Sequence, residues 1–215
     1  MAKGKDGAEG TGGRLQSGRK VAFIKRGLFS YSNVRTQEQL ERQFPEHEIE
    51  VIDVVNDLLR RNKTVVVVNV FRTVLRYWRE LIAGKQTVPL AFYRTPYMFR
   101  KVRELIRRHL STRAGEFAFT FQTQSMYDAS VPGIPHFVYT DHTHLVNLRY
   151  PGFAPEGLFA REWIDLEREI YRNAERVFVM SEHVRESLIE QYAIPGERIL
   201  TVFTGSNVDP TPVPL

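Results

Sequence analysis

"RVFVMSEHVRESLIEQYAIPGERILTVFTGSNVDP", Arg176 to Pro210, decides how the chain is read. Its opening, Val177–Met180, has the β-branched and aromatic content of a buried strand and stops at Ser181. Ser181 stands where a helix N-cap belongs, and Glu182 falls in the first turn, where the helix dipole favours an acid. A helix pattern runs to Tyr192, a Pro195-Gly196 turn follows, and Ile199–Phe203 forms a second apolar run before a Gly/Asn/Asp loop. Strand, helix, turn and strand in so short a span imply two parallel neighbours joined by a crossover helix.

The same alternation extends toward the amino terminus. Lys20–Lys25, Glu48–Val55, Glu116–Gln122 and His136–Thr140 read as strands. Helical patterns occupy "RTQEQLERQF" from Arg35, Pro96 to His109, and Leu158 to Asn173. "TVVVVNVFRTVLRYWRELI" begins with four valines, as a strand would. Yet Val67, Val70, Phe71, Val74, Trp78, Leu81 and Ile82 fall at helical spacing and the run ends near Gly84, which predicts one helix from about Lys63 to Ala83. The expected fold class is α/β: a Rossmann-like three-layer domain whose mostly parallel sheet is covered on both faces. It spans 19–207, after a Gly-rich tail at 1–18 and before a proline-rich linker beginning at 208–215.

Composition narrows the class further. With 42% hydrophobic and 26% charged residues, the 215-residue chain is an ordinary globular protein. It has no cysteine, so disulfides and thiolate metal sites are excluded. The tail has no apolar run resembling a signal peptide, and no window approaches a membrane span, so a cytoplasmic protein is expected. The net charge of +5 is unevenly placed: from Arg94 to Arg113, seven basic residues face only Glu104. Arg100, Lys101, Arg103, Arg107 and Arg108 lie on the polar side of their helix, as a phosphate or anionic-membrane patch or simply as a solvated face. The aromatics Tyr93, Tyr97 and Phe99 cluster at that helix's start and do not interleave with the charges, which argues against nucleic acid.

In parallel sheets, ligands bind beyond the carboxyl ends of the strands. Five polar loops begin where apolar runs stop: "GLFSYSN" with Ser30 and Asn33, "QTQS" with Gln122, "DHTH" with Asp141, His142 and Thr143, "SEH" with Ser181, and "TGSN" with Gly205 and Asn207. Asp141, His142 and His144 suggest a metal, but no further ligand cluster stands out, so none is expected. A Gly-x-Ser-x-Gly elbow, a Gly-x-Gly-x-x-Gly fingerprint and a Walker pattern are all absent.

The stretch 176–209 resembles the amino-terminal Rossmann-like domain of glycosyltransferase family 4, whose enzymes have the GT-B fold. In that family a strand ends in a Ser that opens a helix, as in "VFVMSEHVRESLIEQY". A Tyr-Gly-Ile-Pro-like turn follows, here "QYAIPGERI" with Ala193 in place of glycine, and then a strand ending in a Gly-Val-Asp type loop, here "TVFTGSNVDP". Upstream, "PHFVYTDHTHL" is similar to a strand ending in Thr-x-His or Asp-x-Thr. The resemblance covers most of 116–209, and the amino-terminal half matches in its order of elements. It departs at "RGLFSYSN", where many members carry a Gly-Gly pair.

The resemblance implies half of a two-domain retaining transferase that requires no bound metal or cofactor, with a nucleotide-sugar as co-substrate. This half would hold the acceptor, a glycan or a lipid-linked molecule. A second domain, missing here, would hold the donor, leaving the chain inactive alone. His142 would hydrogen-bond the transferred sugar or orient the acceptor, and Asp141 would accept from an acceptor hydroxyl. Gly205 and Asn207 would serve the interdomain hinge, and lipid-linked acceptors would favour the inner membrane face. The alternative is a non-catalytic Rossmann-like or flavodoxin-like module that binds a nucleotide or a protein partner.

Overall fold

The computed structural model describes residues 19–27 and 31–202. Six strands form one sheet: β1 (Lys20–Lys25), β2 (Ile49–Asp53), β3 (Phe117–Thr123), β4 (His136–Thr140), β5 (Arg176–Val179) and β6 (Ile199–Thr201). Every neighbouring pair is parallel, in the order β2-β1-β3-β4-β5-β6. The helices are α1 (Tyr31–Gln43), α2 (Lys63–Ile82), α3 (Val88–Phe92), α4 (Pro96–Leu110), α5 (Arg161–Asn173) and α6 (Glu182–Glu190). This is the Rossmann-like three-layer architecture that the strand-helix alternation implies.

Period-two geometry sends successive strand side chains to opposite faces. Ala22 and Ile24 of β1 meet Met98, Val102, Ile106 and Leu110 of α4. Further along that face, Ile170 of α5 and Val184 and Leu188 of α6 pack on Val138, Val177 and Val179. The other face receives Phe44, just beyond α1, against Val21 and Phe119. Phe44, Phe119 and Phe137 continue it as edge-on aromatic pairs, 5.2 and 5.5 Å between centroids.

Local chemistry moves some boundaries. Val54 and Val55 leave β2 because Asp53 caps a π-helical turn, accepting from Val55 N–H (2.9 Å) and Asn56 N–H (3.0 Å). α5 starts at Arg161, not Leu158, because a Pro155–Gly157 turn and an extended Leu158 precede it. The valine run is helical from Lys63, yet α2 sits inside out. Its buried stripe is Asn69, Thr73 and Tyr77, whereas Phe71, Leu75, Trp78 and Ile82 face solvent.

From β1 the chain steps one way to β2, then crosses back over β1 to β3. The connections thus reverse direction between β1 and β3, and in such sheets ligands bind along the carboxyl edge.

Candidate functional site

A cavity of about 480 Å³ opens at that edge. The loop after β3 supplies Gln124 and Ser125, the loop after β4 supplies Asp141, His142 and His144, and α5 supplies Trp163 and Glu167. Gln86 and Arg94, from the segment joining α2 to α4, complete the wall.

Glu167 anchors the floor. It sits on the inward stripe of α5 with 1% exposure. Its carboxylate accepts from Ser125 Oγ (2.9 Å), His144 N–H (3.1 Å) and Tyr171 Oη (3.3 Å), and from Tyr192 Oη. Burial pushes its pKa up to about 7 against the pull of those donors. A buried carboxylate ringed by donors fixes the loops after β3 and β4 to α5, so the cavity walls are held as one unit.

His144 belongs to the same framework. Its Nε2 accepts the Phe159 N–H at 2.8 Å, and its ring lies against Phe159 and Trp163. That bond occupies the lone pair a second proton would need, and burial, helped by Arg94, holds the pKa down at about 3. His144 is therefore a neutral structural imidazole. His142 is different: half-buried, its ring stacked on Tyr150 at 4° and its backbone pinned by Thr140 Oγ1, which donates to His142 O (2.7 Å). Burial lowers its pKa, partly offset by Asp141, so it faces the cavity neutral at pH 7 and able both to donate and to accept. Asp141 beside it is exposed at the rim.

Arg94 supplies positive charge inside. Its guanidinium lies 4.9 Å from the centroid of the Phe159 ring and 5.8 Å from that of Trp163, and burial lowers its pKa. Gln124 holds a left-handed conformation (φ 70°) because its N–H donates to Tyr139 O (2.9 Å) and its carbonyl accepts from Gln122 Nε2 (2.7 Å). Such strain in a non-glycine residue persists only where its surroundings impose it. Gln86 Oε1, Arg94 Nε, Gln124 Oε1 and Trp163 Nε1 are buried without partners among the described residues, and all four side chains line this cavity. Unpaired buried polar atoms are costly, so four on one cavity wall mark a site for a ligand rich in hydroxyls or other polar groups.

Several of the sequence candidates take other positions. Asp141 and His142 line the cavity. Thr143 does not: it is fully buried, sharing a 2.7 Å hydrogen bond with Ser187 and accepting from Val146 N–H. Gln122 is interior as well, donating to Gln124 O and Tyr127 O and accepting from Ala129 N–H, so it shapes the β3 loop and reaches no ligand. Ser181 caps α6, its Oγ accepting from Val184 N–H at 3.3 Å. Asn33 is buried on α1. Ser30, Gly205 and Asn207 lie outside the described residues.

The basic patch on α4 is largely neutralised. Arg100 pairs with Glu162 (2.7 Å), Lys101 with Glu104 (2.7 Å), Arg103 with Glu169 (2.8 Å), Arg107 with buried Asp128 (3.5 Å), and Arg108 with Glu104. The acids come mostly from α5 and the loop after β3, which no count along α4 alone could show.

Sequence reasoning missed Arg94, Gln124 and Glu167. Glu167 had a signal: it is a carboxylate inside the apolar stripe Trp163, Ile164, Leu166, Ile170 and Tyr171. Gln124 lay within the "QTQS" loop, where Gln122 was chosen instead, and Arg94 was counted only in the basic run, because its role arises from distant segments meeting. Among the described residues, no group of three or more His, Cys, Asp or Glu side chains could hold a metal ion. No described helix is long and apolar enough to cross a membrane.

A parallel α/β sheet with a polar cavity beyond the carboxyl ends of β3 and β4 defines a Rossmann-like domain with a candidate ligand site. The chain belongs to glycosyltransferase family 4: residues 34–209 match the model described as Glycosyltransferase Family 4. The domain is thus of glycosyltransferase type, and the matched range takes in strands β2 to β6 and the cavity, with β1 just ahead of it. No curated protein shows significant similarity to it.

Proposed function

We propose that this domain is the acceptor-side half of a retaining, metal-independent glycosyltransferase that moves a hexose-like sugar from a nucleotide-sugar to an acceptor. The observation carrying the reading is the cavity at the carboxyl edge, where neutral His142, rim-exposed Asp141 and four unpartnered polar atoms converge. Asp141 accepts a hydrogen bond from the acceptor hydroxyl and so orients it for attack. His142 donates to or accepts from the neighbouring sugar oxygens, and Arg94 favours an acceptor with an anionic group nearby. A glycan or lipid-linked acceptor fits this set.

The nucleotide-sugar is a co-substrate bound by a second domain facing this edge, so no resident cofactor is needed. The 215-residue chain alone does not transfer sugar on this reading. The enzyme works in the cytoplasm, at the inner face of the membrane when its acceptor is lipid-linked.

Titration of the isotope-labelled chain with acceptor sugars tests this. Amide shifts confined to Gln124, Asp141 and His142, and lost in D141N and H142A, support the acceptor role. Shifts elsewhere, or measurable nucleotide-sugar turnover by this chain alone, defeat it.

A further inference from the structure

The solvent side of α2 is more apolar than its buried side. Phe71 is 67% exposed, Leu75 77%, Trp78 49% and Ile82 80%, with exposed Val67 one turn before them and Val74 among them. These side chains face solvent on both sides of a kink at Tyr77 (φ −119°, ψ 18°), Phe71 and Leu75 before it and Trp78 and Ile82 after it. Folded monomers rarely expose such a patch without a use for it. Inward, α2 is held by hydrogen bonds: Asn69 Nδ2 donates to Phe92 O (2.7 Å), and Tyr77 Oη donates to Arg94 O (2.8 Å). The stripe is thus built to face outward.

Charge identifies what covers it. Arg72, Arg76 and Arg79 run along one flank of the stripe, and among the described residues no carboxylate lies within ion-pair distance of any of them. Arg72 instead lies over the Tyr97 ring (4.5 Å) and Arg79 over Trp78 (5.2 Å). Beside this flank a second cavity of about 770 Å³ is lined by Arg72, Arg76, Arg100 and Lys101. The last two are already paired with Glu162 and Glu104, so Arg72 and Arg76 give it its excess positive charge.

An apolar helix face with aromatic residues, edged by unpaired arginines, has the makeup of a helix lying in the plane of a lipid interface. Two copies of this face brought together about a two-fold axis would set the same arginines near one another without a counter-charge.

We propose that α2 is a membrane-surface helix. Its Phe71, Leu75, Trp78 and Ile82 enter the headgroup–acyl boundary of an anionic leaflet, while Arg72, Arg76 and Arg79 meet lipid phosphates. This placement stands on exposure and charge and does not depend on the sugar-transfer reading. It relocates the membrane contact from α4, whose cations are paired, to α2.

Flotation of the full chain with phosphatidylcholine vesicles, and with vesicles also containing phosphatidylglycerol, tests it. Binding is expected to the anionic vesicles, weakening as salt rises and screening shortens. Trp78 fluorescence should shift to the blue, and W78F should lose the shift because the other tryptophan, Trp163, is already buried. L75D should lower partition at least tenfold with an unchanged melting temperature, since the position is exposed. R72Q/R76Q/R79Q should lower it about 100-fold on anionic vesicles.

Three results overturn the proposal: no binding to anionic vesicles, binding unaffected by L75D but lost in R100Q/K101Q, or a concentration-dependent dimer that L75D dissolves while vesicles bind nothing.

Discussion

α2 and α4 belong to the same connection between β2 and β3, yet they solve helix burial in opposite ways. α4 hides Met98, Phe99, Val102, Ile106 and Leu110 and shows cations to water, each matched by an acid. α2 hides Asn69, Thr73 and Tyr77 and shows valine, leucine, phenylalanine and tryptophan. In α4, removal of apolar area from water supplies the stability, and the charges are complementarity. In α2, a narrow hydrogen-bonded stripe fixes the helix to α3 and to the start of α4. The apolar area there is left over from folding and serves contact with something outside the domain.

The largest expected effect is the contrast between two apolar truncations. Ile106→Ala, at a fully buried position under the sheet, should cost about 3–4 kcal/mol in urea unfolding. Leu75→Ala, at 77% exposure, should change stability by no more than about 0.5 kcal/mol. A cost near 2 kcal/mol for Leu75→Ala would mean that the outer face of α2 is already covered in solution, and the comparison would break.

Next comes a buried carboxyl group, which the α2 stripe of Asn69, Thr73 and Tyr77 lacks. Burial raises the pKa of Glu167 from 4.5 to about 7, so the folded state holds its proton more tightly than the unfolded chain. Its stabilising contribution is therefore complete below about pH 4.5 and is lost as the pH rises through about 7, a swing of about 3 kcal/mol. Wild-type stability relative to E167Q should fall over that window, whereas the difference between wild type and N69A should stay flat. Asn69→Ala itself should cost about 2 kcal/mol at any pH, because it strands Phe92 O and breaks the Asn69–Thr95 bond in a buried setting. A smaller loss would show that α2 is held by something other than its polar stripe.

The difference between these helices also explains what was legible beforehand. Periodicity reports spacing, so α4 and α2 were both readable as helices despite the valine run at the head of α2. Spacing does not say which side of a helix meets the sheet. For α4 the ordinary answer held, and for α2 it did not, because the partners of Asn69 and Tyr77 lie at Phe92 and Arg94, more than a dozen residues away. The site divides in the same way. Asp141 and His142 were visible because a strand stops at them. Thr143 and Gln122 looked equivalent in sequence, but their hydroxyl and amide groups are taken up by Ser187, Tyr127 and Ala129. The parallel sheet followed from strand-helix alternation; the neutralisation of the α4 cations required knowing that α5 packs beside them.

The smallest expected effect concerns those cations. Arg108 pairs with Glu104 one turn away on an open surface, where charge attraction is screened and side-chain entropy opposes it. A double-mutant cycle over E104Q and R108Q should return a coupling of no more than about 0.5 kcal/mol, shrinking further in high salt. Its size still discriminates, because Lys101 shares Glu104 and the three charges act together. A coupling near 2 kcal/mol would show that the α4 network is a structural element in its own right. A coupling near zero would mean that its charges cancel locally while adding little to stability. In either case the α4 cations are engaged with acids, whereas Arg72, Arg76 and Arg79 on α2 have none within ion-pair distance among the described residues.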